Sequence, residues 1–367
     1  MKIGVLTSSR ADYGIYLPLL QKIKEDSFFE LEIIAFGTHL SRSHGYTLAG
    51  IENDGYKTIH TISSLISNDD EQSISSSYGV TVLKFADFWQ NHHYDLVFCL
   101  GDRFEMSAAV QAGIPFGVPF AHLHGGETTL GAIDNVYRHQ ISLASQFHFT
   151  ATEVFSEKLT NLLGSSDGIY TVGSLSLNDI KTFAPIGKDT FYDTFSIPDE
   201  EFALVTFHPE TMAAQENIQF AQAMKKALAT ISESLFVVIT MPNADTQGSI
   251  YREAILQLKN ENENRILLIE NFGKANYFSA MHYCKLLIGN TSSGILEAAS
   301  FGKYVINVGD RQKGRAQSEN IINCPFTEID IIQATNKANN FDTYIGGNVY
   351  FKENVAQNII KILKESI

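Results

Sequence analysis

The sequence predicts an α/β protein built from two doubly wound domains, each a parallel sheet covered by helices. Short apolar runs alternate with amphipathic stretches along the 367 residues, which is the pattern of strands joined by crossover helices. A chain of this length is typical of two domains. The rhythm lapses once, over residues 178–201, a stretch without a clear period that contains Pro185 and Pro198. We therefore expect an N-terminal domain over residues 1–180 and a C-terminal domain over residues 190–348.

The N-terminal half starts directly with a strand. A polar loop containing Arg10 follows, and then an amphipathic helix that ends near Lys24. The serine-rich stretch 61–78 is weakly periodic and is expected to be loop, while further helices end near Gln90 and begin near Asn135. The strands expected in this half are residues 3–7, 29–36, 95–100, 116–123, 147–150 and 169–172.

The C-terminal half repeats the same rhythm. Its most informative part is the strand 285–288, the loop 289–294 that interrupts it, and the helix that starts near Ile295. The other strands expected here are residues 203–207, 236–240, 265–269 and 304–308. The last stretch, residues 352–366, is expected to form an amphipathic helix with Val355, Ile359 and Leu363 on one face.

Composition and charge exclude several classes of protein. The formal net charge of −14 argues against non-specific binding to nucleic acid or to an anionic membrane. No apolar run approaches the roughly 20 residues of a membrane helix, and the run at residues 3–6 is too short for a signal peptide. The cysteines Cys99, Cys284 and Cys324 have no metal-site spacing. We expect a cytoplasmic protein.

Two loops of the C-terminal half have the properties of anion sites. The loop 289–294 carries three hydroxyl side chains at the start of a helix, where backbone N–H groups and the helix dipole favour anions. The loop 309–315 carries Arg311, Lys313 and Arg315. The first loop alone is equally consistent with an ordinary capped loop, but the two together favour a phosphorylated ligand. The sequence contains no P-loop and no G-x-G-x-x-G turn, so no nicotinamide or flavin cofactor is expected.

Three carboxylates follow predicted strands of the N-terminal half, at the edge where α/β proteins bind ligands. Asp102, Glu127 and Asp134 are candidates for acid and base chemistry, because carboxylates crowded in a cleft can share these duties. Asp134 is equally explained as a helix N-cap, and Asp102 as the partner of Arg103. Glu127 has fewer such explanations, because the two glycines before it allow close backbone approach to a ligand.

Histidines supply a second group of candidates. His208 ends a strand and is followed by Pro209, which favours it over most lone histidines as a functional residue. His122 and His124 are expected to point to the same side of their strand. No third ligand is indicated beside them, so no metal site is expected.

Seven motifs, taken in order, resemble the hydrolysing UDP-N-acetylglucosamine 2-epimerases of sialic-acid synthesis. Each motif is weak alone, but the ordered set is specific and covers nearly the whole chain. The motifs are Ser9-Arg10-Ala11-Asp12-Tyr13-Gly14, Gly101-Asp102-Arg103-Phe104-Glu105, His124-Gly125-Gly126-Glu127, Phe207-His208-Pro209-Glu210-Thr211, Asn243-Ala244-Asp245, Gly289-Asn290-Thr291-Ser292-Ser293-Gly294 and Gly309-Asp310-Arg311-Gln312-Lys313-Gly314-Arg315.

The resemblance implies a GT-B architecture: two Rossmann-like domains with an interdomain cleft, and the helix 352–366 packed back on the first domain. It also implies that UDP is held mainly by the second domain and that neither a metal nor another cofactor is needed. Four residues match catalytic positions of the family: Asp102, Glu127, Asp134 and His208. The residues at nucleotide-contacting positions are Arg10, Arg103, His208, Asn243, Phe272 at the uracil, Thr291, Ser292, Ser293, Glu297 at the ribose, and Arg311.

The implied reaction converts UDP-N-acetylglucosamine to N-acetylmannosamine and UDP, through anti elimination of UDP to a glycal and hydration with inversion at C2. Two alternatives stay open: the same reaction on a UDP- or GDP-linked 2,4-diacetamido-trideoxyhexose, as in legionaminic-acid synthesis, and a non-hydrolysing 2-epimerase. A glycosyltransferase of the same architecture and a binding protein without turnover rank lower, since binding alone does not require three candidate carboxylates. Thr291 replaces a serine common in the family and keeps its hydroxyl. We also expect a homodimer.

Overall fold

A computed structural model describes residues 1–42, 45–66, 68, 70–131, 133–242 and 247–366. The chain forms two compact units. The first, called here the N-terminal unit, comprises Met1–Glu127, Ile133–Asp179 and Tyr350–Ile367. The second, the C-terminal unit, comprises Thr128–Ala132 and Ile180–Val349. Each unit has its own parallel sheet and its own core.

Strands of the N-terminal unit form one sheet and strands of the C-terminal unit another. The first set is β1 (Lys2–Thr7), β2 (Glu30–Phe36), β3 (Thr58–Ile62), β4 (Leu96–Leu100), β5 (Phe120–Leu123), β6 (Phe147–Thr150) and β7 (Ile169–Thr171). The second set is β8 (Phe202–Thr206), β9 (Phe236–Thr240), β10 (Ile266–Ile269), β11 (Leu286–Gly289), β12 (Val305–Val308) and β13 (Ile321–Cys324).

Both sheets are parallel and doubly wound. The strand order is β3-β2-β1-β4-β5-β6-β7 in the N-terminal unit and β10-β9-β8-β11-β12-β13 in the C-terminal unit. The order reverses next to β1 in one sheet and next to β8 in the other. Such a reversal opens a crevice at the carboxyl ends of the strands, where ligands of α/β sheets bind.

Helices cover the sheets. They are α1 (Arg10–Glu25), α2 (Leu48–Asn53), α3 (Glu71–Asn91), α4 (Phe104–Gly113), α5 (Asp134–Ala144), α6 (Glu153–Leu163), α7 (Lys188–Phe195), α8 (Asn217–Ser232), α9 (Gly248–Glu261), α10 (Lys274–Tyr283), α11 (Ser292–Leu296), α12 (Glu328–Asn339) and α13 (Val355–Ser366). Among the described residues, none of the helices combines the length and apolar character needed to span a membrane.

The N-terminal sheet has an apolar cluster on each face. Side chains alternate along a strand, so β1 sends Ile3 and Val5 into one cluster and Leu6 into the other. The second cluster is covered by α3, whose Phe85 and Trp89 are fully buried. This two-sided burial explains why the central strands read as continuous apolar runs.

The last helix, α13, belongs to the first of these clusters. Its residues Val355, Ile359 and Leu363 are fully buried and lie in the same cluster as Tyr16 and Leu20 of α1. The apolar stripe expected at the end of the chain is therefore part of the core of the N-terminal unit.

The C-terminal sheet is built in the same way. On β9, Val237 and Ile239 enter one cluster, while Phe236 and Val238 enter the other. The second cluster also contains Phe191 of α7. Both faces of this sheet are therefore covered as well.

Two stretches differ from the loops expected there. Within residues 178–201, helix α7 buries Phe191 and Tyr192; eight residues are too few for a periodic signal to stand out. Within residues 61–78, β3 ends at Ile62 and α3 already begins at Glu71, capped by the Asp70 carboxylate. Serines on the first turns of α3 hid its start.

Two further strands were missed, and both lie at an edge of their sheet. The strand β3 has a partly exposed burial pattern and an alternating polar sequence, and β13 is likewise only partly buried. An edge strand has one neighbour instead of two, so its sequence lacks the continuous apolar run of a central strand. The strand expected over 116–123 is also shorter than predicted and begins at Phe120.

Candidate functional site

In the N-terminal unit, the chemically interesting residues gather around one buried arginine. Arg138 lies on α5 and is 2 % exposed. One of its guanidinium nitrogens donates to the Asp102 carboxylate and another to the carbonyl oxygen of His124, at 2.7 Å. The nitrogen that donates to His124, Nη1, also lies 3.8 Å from Glu127 Oε2. Arg138 thus brings together two of the carboxylates that the sequence singled out.

Glu127 is held from a second side. It is 2 % exposed, and the Nδ1–H of His124 donates to its Oε1 at 2.7 Å. A carboxylate at this depth needs such charged or polar partners. His124 and the guanidinium of Arg138 therefore fix the position of the Glu127 carboxylate.

One of the glycines before Glu127 is required for packing. At Gly126, with φ +75°, an added Cβ would lie 2.3 Å from the carbonyl oxygen of Phe155. The lack of a side chain lets the chain pack against α6, and close approach to a ligand stays a prediction. His124 is also outside β5 and has a φ of +63°, so the expected alternation of His122 and His124 along one strand is wrong.

His122 is a structural residue. Its Nε2–H donates to the carbonyl oxygen of Gly101 at 2.8 Å, and its Nδ1 accepts from the Ser142 hydroxyl at 3.0 Å. Burial lowers the pKa of His122 to about 3, so the ring is neutral at physiological pH. Nε2 thus fixes the turn that carries Asp102, and Nδ1 ties β5 to α5.

The simple structural explanations of Asp134 and Asp102 do not hold. Asp134 is the first residue of α5, and its N-cap is Ile133. Arg103 pairs with Glu105 through two hydrogen bonds of 3.2 and 2.9 Å, whereas Asp102 pairs with Arg138. Asp134 lies one helical turn before Arg138 and is half-buried.

The first loop is fixed by Asp12. Its carboxylate accepts from the Ser8 N–H at 2.9 Å and from the Thr7 hydroxyl at 2.5 Å. Because the Thr7 proton is used in this bond, Thr7 Oγ1 accepts from the Nε2–H of His39 at 2.9 Å. Burial acts to raise the pKa of Asp12, but the nearby His39 and these hydrogen bonds outweigh it and hold that pKa below its usual value. The network orients the turn from which Arg10, exposed at the start of α1, emerges.

In the C-terminal unit, Asn290 joins the loops after three strands. Its side-chain oxygen accepts from the His208 N–H at 2.7 Å, and its side-chain nitrogen donates to the His208 carbonyl oxygen at 2.8 Å. Its own carbonyl oxygen accepts from Gln312 Nε2 at 2.9 Å and from Arg311 Nη1 at 3.4 Å. Asn290 is fully buried, so the loops after β8, β11 and β12 are tied together at one point.

The loop 309–315, called here the basic loop, has two further attachments within the C-terminal unit. Glu210 Oε1 accepts from the backbone N–H groups of Asp310 and Arg311, at 2.8 and 3.2 Å. The N–H of Leu130 donates to the carbonyl oxygen of Lys313 at 2.9 Å. The loop is therefore held by backbone contacts along its length.

The carboxylate of Glu297 lies beside a serine hydroxyl of the loop 289–294. The Ser293 hydroxyl donates to Glu297 Oε2 at 2.5 Å, and burial raises the pKa of the Tyr277 hydroxyl. Thr291 and Ser292 are half-buried at the start of α11. Because α11 has only five residues, a phosphate here would depend on N–H and hydroxyl groups more than on a helix dipole.

Two expected nucleotide contacts stand apart. Phe272 is 5 % exposed and packs against Phe191 and Phe195, with ring centroids 5.9 and 4.7 Å away. Asn243 lies outside the described residues.

The sequence did not single out Arg138, Asn290 or the side chain of Glu210 as individual candidates. Only the buried face of α5 signalled Arg138, and its contacts come from distant parts of the chain.

Comparison with known proteins places the chain within a family. A profile of the UDP-N-acetylglucosamine 2-epimerase family matches residues 21–364. The GDP/UDP-N,N'-diacetylbacillosamine 2-epimerase (hydrolyzing) of Campylobacter jejuni is 34 % identical over 90 % of this chain and 85 % of its own length. The UDP-N,N'-diacetylbacillosamine 2-epimerase (hydrolyzing) of Legionella pneumophila is 32 % identical, with coverage of 99 % and 95 %. Polysialic acid biosynthesis protein P7 of Escherichia coli is 30 % identical, with coverage of 100 % and 94 %.

Solved structures agree on the fold. The crystal structure of UDP-GlcNAc 2-epimerase from Neisseria meningitidis, bound to UDP-GlcNAc, superposes with a TM-score of 0.81 over all of both chains at 18 % identity. This likeness confirms the predicted α/β fold of GT-B type, and the sequence matches confirm the predicted family. The chain belongs to the UDP-N-acetylglucosamine 2-epimerase family.

Proposed function

We propose that this protein is a hydrolysing 2-epimerase that releases UDP and a free, C2-inverted sugar from a UDP-linked 2,4-diacetamido-trideoxyhexose. The observation that carries the proposal is its identity of 34 % and 32 % to two enzymes named as hydrolysing 2-epimerases of a diacetamido sugar. The paired carboxylates of the N-terminal unit supply acid and base groups suited to such a reaction.

The second candidate substrate is UDP-N-acetylglucosamine, with N-acetylmannosamine as the product. The motifs of the sequence imply this sugar, and the 30 % identity to a polysialic acid biosynthesis protein also favours it. The diacetamido sugar now ranks higher, because the two relatives of greater identity are named for it.

The C-terminal unit is proposed to bind the nucleotide. Arg311 and the hydroxyls of Thr291, Ser292 and Ser293 are suited to the diphosphate, since charged hydrogen bonds to phosphate are among the strongest. Glu297 is suited to the ribose diol as a hydrogen-bond acceptor. Arg10, Arg103, His208, Asn243 and Phe272 stay predicted nucleotide contacts.

The N-terminal unit is proposed to move the protons. A carboxylate takes the proton from C2 while the C1–oxygen bond to UDP breaks on the opposite face, which leaves a C1=C2 glycal. Water then adds its hydroxyl to C1, and a proton returns to C2 from the other face. The groups proposed for these steps are Asp102, Glu127 and Asp134 of the N-terminal unit, together with His208 of the C-terminal unit. The contacts with Arg138 and His124 fix Asp102 and Glu127 before reaction.

We also propose that the protein is a homodimer. Helices α3 and α5 leave the side chains of Leu83, Val136 and Leu143 between 54 % and 71 % exposed, and apolar groups on neighbouring helices favour association. Light scattering should give twice the mass of 40.7 kDa; a monomeric mass at micromolar concentration would exclude the dimer.

Product analysis tests the reaction and the sugar together. The protein is incubated with the UDP-linked diacetamido sugar or with UDP-N-acetylglucosamine in D2O, and the products are followed by NMR. We expect UDP, a free sugar with deuterium at C2, and a kcat/KM higher for the diacetamido substrate by at least about tenfold, the value of one well-placed polar contact. An epimerised sugar still linked to UDP would contradict the hydrolysing reaction, and equal kcat/KM values would contradict the sugar.

A further inference from the structure

The side chain of Glu210 occupies an anion site made by the basic loop itself. The residue is 4 % exposed, and one carboxylate oxygen accepts from two consecutive N–H groups, those of Asp310 and Arg311. Two consecutive N–H groups that converge on one point are a common way to bind an anion. These donors of the loop are therefore already taken by a carboxylate of the same unit.

The loop is shaped to admit that carboxylate. At Gly309, with φ +73°, an added Cβ would lie 2.2 Å from Glu210 Oε1. Any other residue at this position would collide with the carboxylate and would be strained in its backbone. The glycine and the glutamate thus form a matched pair at the start of the basic loop.

The backbone of Glu210 is also fixed. Its N–H donates to Asn217 Oδ1 at 3.0 Å, and its carbonyl oxygen accepts from Asn217 Nδ2 at 3.2 Å. The Asn217 side chain is in turn bound by the Tyr251 hydroxyl and by Gln247. The backbone of Glu210 is therefore held in place by buried hydrogen bonds, and its side chain anchors the loop.

We propose that Glu210 is a positioning residue that holds the loop 309–315 in the conformation in which Arg311 binds the diphosphate of the substrate. The inference rests on the proposed function, because it takes the loop as the diphosphate site. Glu210 itself does not touch the substrate. It acts by holding the two peptide N–H groups on either side of the Asp310 Cα.

This role has a cost in stability. Burial raises the pKa of Glu210, and the two N–H groups only partly oppose this effect. A carboxyl group whose pKa is higher in the folded protein destabilises the fold as the pH rises through that pKa. Replacement by glutamine removes the charge and this cost, but leaves a weaker acceptor for the two N–H groups.

The test compares UDP affinity, turnover and melting temperature in Glu210→Gln, Glu210→Ala and Arg311→Ala. Calorimetry should show UDP binding about 3- to 10-fold weaker in Glu210→Gln and at least about 10-fold weaker in Glu210→Ala. The kcat of Glu210→Gln should stay within about twofold of wild type, and its melting temperature at pH 8 should not fall. If Glu210 were purely structural, Glu210→Gln would have a lower melting temperature at pH 8 and an unchanged UDP affinity. The control is Glu261→Gln, an exposed glutamate that pairs with Lys225 at the far end of α9.

The double variant Glu210→Gln/Arg311→Ala tests the route of the effect. If Glu210 acts through Arg311, the double variant should bind UDP within about twofold of Arg311→Ala, because contacting residues are not additive. Full additivity, unchanged affinity in both Glu210 variants, or tighter binding by Glu210→Gln would each overturn the inference. A wild-type protein that binds no UDP would instead overturn the proposed function.

Discussion

The two units hold their polar groups in different ways. In the N-terminal unit, a single guanidinium contacts Asp102 directly and lies 3.8 Å from Glu127. In the C-terminal unit, the loops are joined through amide and backbone groups, with Asn290 and Glu210 at the junctions. A network built around one charge is expected to fail as a whole, whereas a network spread over several separate hydrogen bonds is expected to weaken in steps.

The largest effect is expected from Arg138→Met. Methionine keeps much of the side-chain volume but leaves Asp102 and Glu127 without their buried cation. Breaking a buried ion pair from one side costs about 3–5 kcal/mol, so urea denaturation should show a loss of that size, together with a loss of turnover. Arg252→Met, which removes an exposed arginine paired with Glu270, should cost about 1 kcal/mol or less. Equal stability of the two variants would remove Arg138 from the centre of the network.

Glu127→Gln should separate chemistry from binding. Glutamine keeps the size of the side chain and one acceptor oxygen, but cannot take up a proton. Turnover should fall at least ~100-fold, the lower range for the loss of a general acid or base, while UDP affinity stays near wild type. If Glu127 acts at C2, deuterium entry at C2 should fall in parallel.

Two outcomes would contradict this assignment of Glu127. Wild-type turnover would make the residue a bystander. A joint loss of UDP binding and of thermal stability would show that the contact with His124 at 2.7 Å is purely structural.

A smaller effect is expected from Arg311→Ala in the C-terminal unit. UDP binding should weaken by about 1.5–3 kcal/mol, typical of a hydrogen bond to a charged group, and Ser292→Ala should weaken it less. The fold should stay intact, because the loop keeps its backbone contacts with Glu210 and Leu130. Titration calorimetry measures the UDP affinity, and scanning calorimetry measures the stability of the fold. The control is Arg265→Ala, at the amino end of β10. Unchanged affinity in Arg311→Ala would remove the loop from the nucleotide site.

Local sequence signals were enough for the fold class and for the loops that carry the candidate site. Each quoted motif follows a strand that is read from its apolar run, as with Asp102 after β4 and Thr291 after β11. The partners of these residues could not be read in the same way. Arg138 is an ordinary helical position until α5 packs, and the contact between Glu210 and Asp310 joins residues 100 apart. The edge strands β3 and β13 were missed because polar residues interrupt the apolar run on which strand recognition depends.

The discontinuity of the N-terminal unit has a consequence for biosynthesis. Residues of α13, the final helix, fill the core on one face of the first sheet. Until α13 has been synthesised and has left the ribosome, α1 has no such cover and exposes an apolar surface. The C-terminal unit, in contrast, ends at Val349 and has its full sequence earlier. Domains commonly complete their folding in the order of synthesis; here the half that is made first is the half that is finished last.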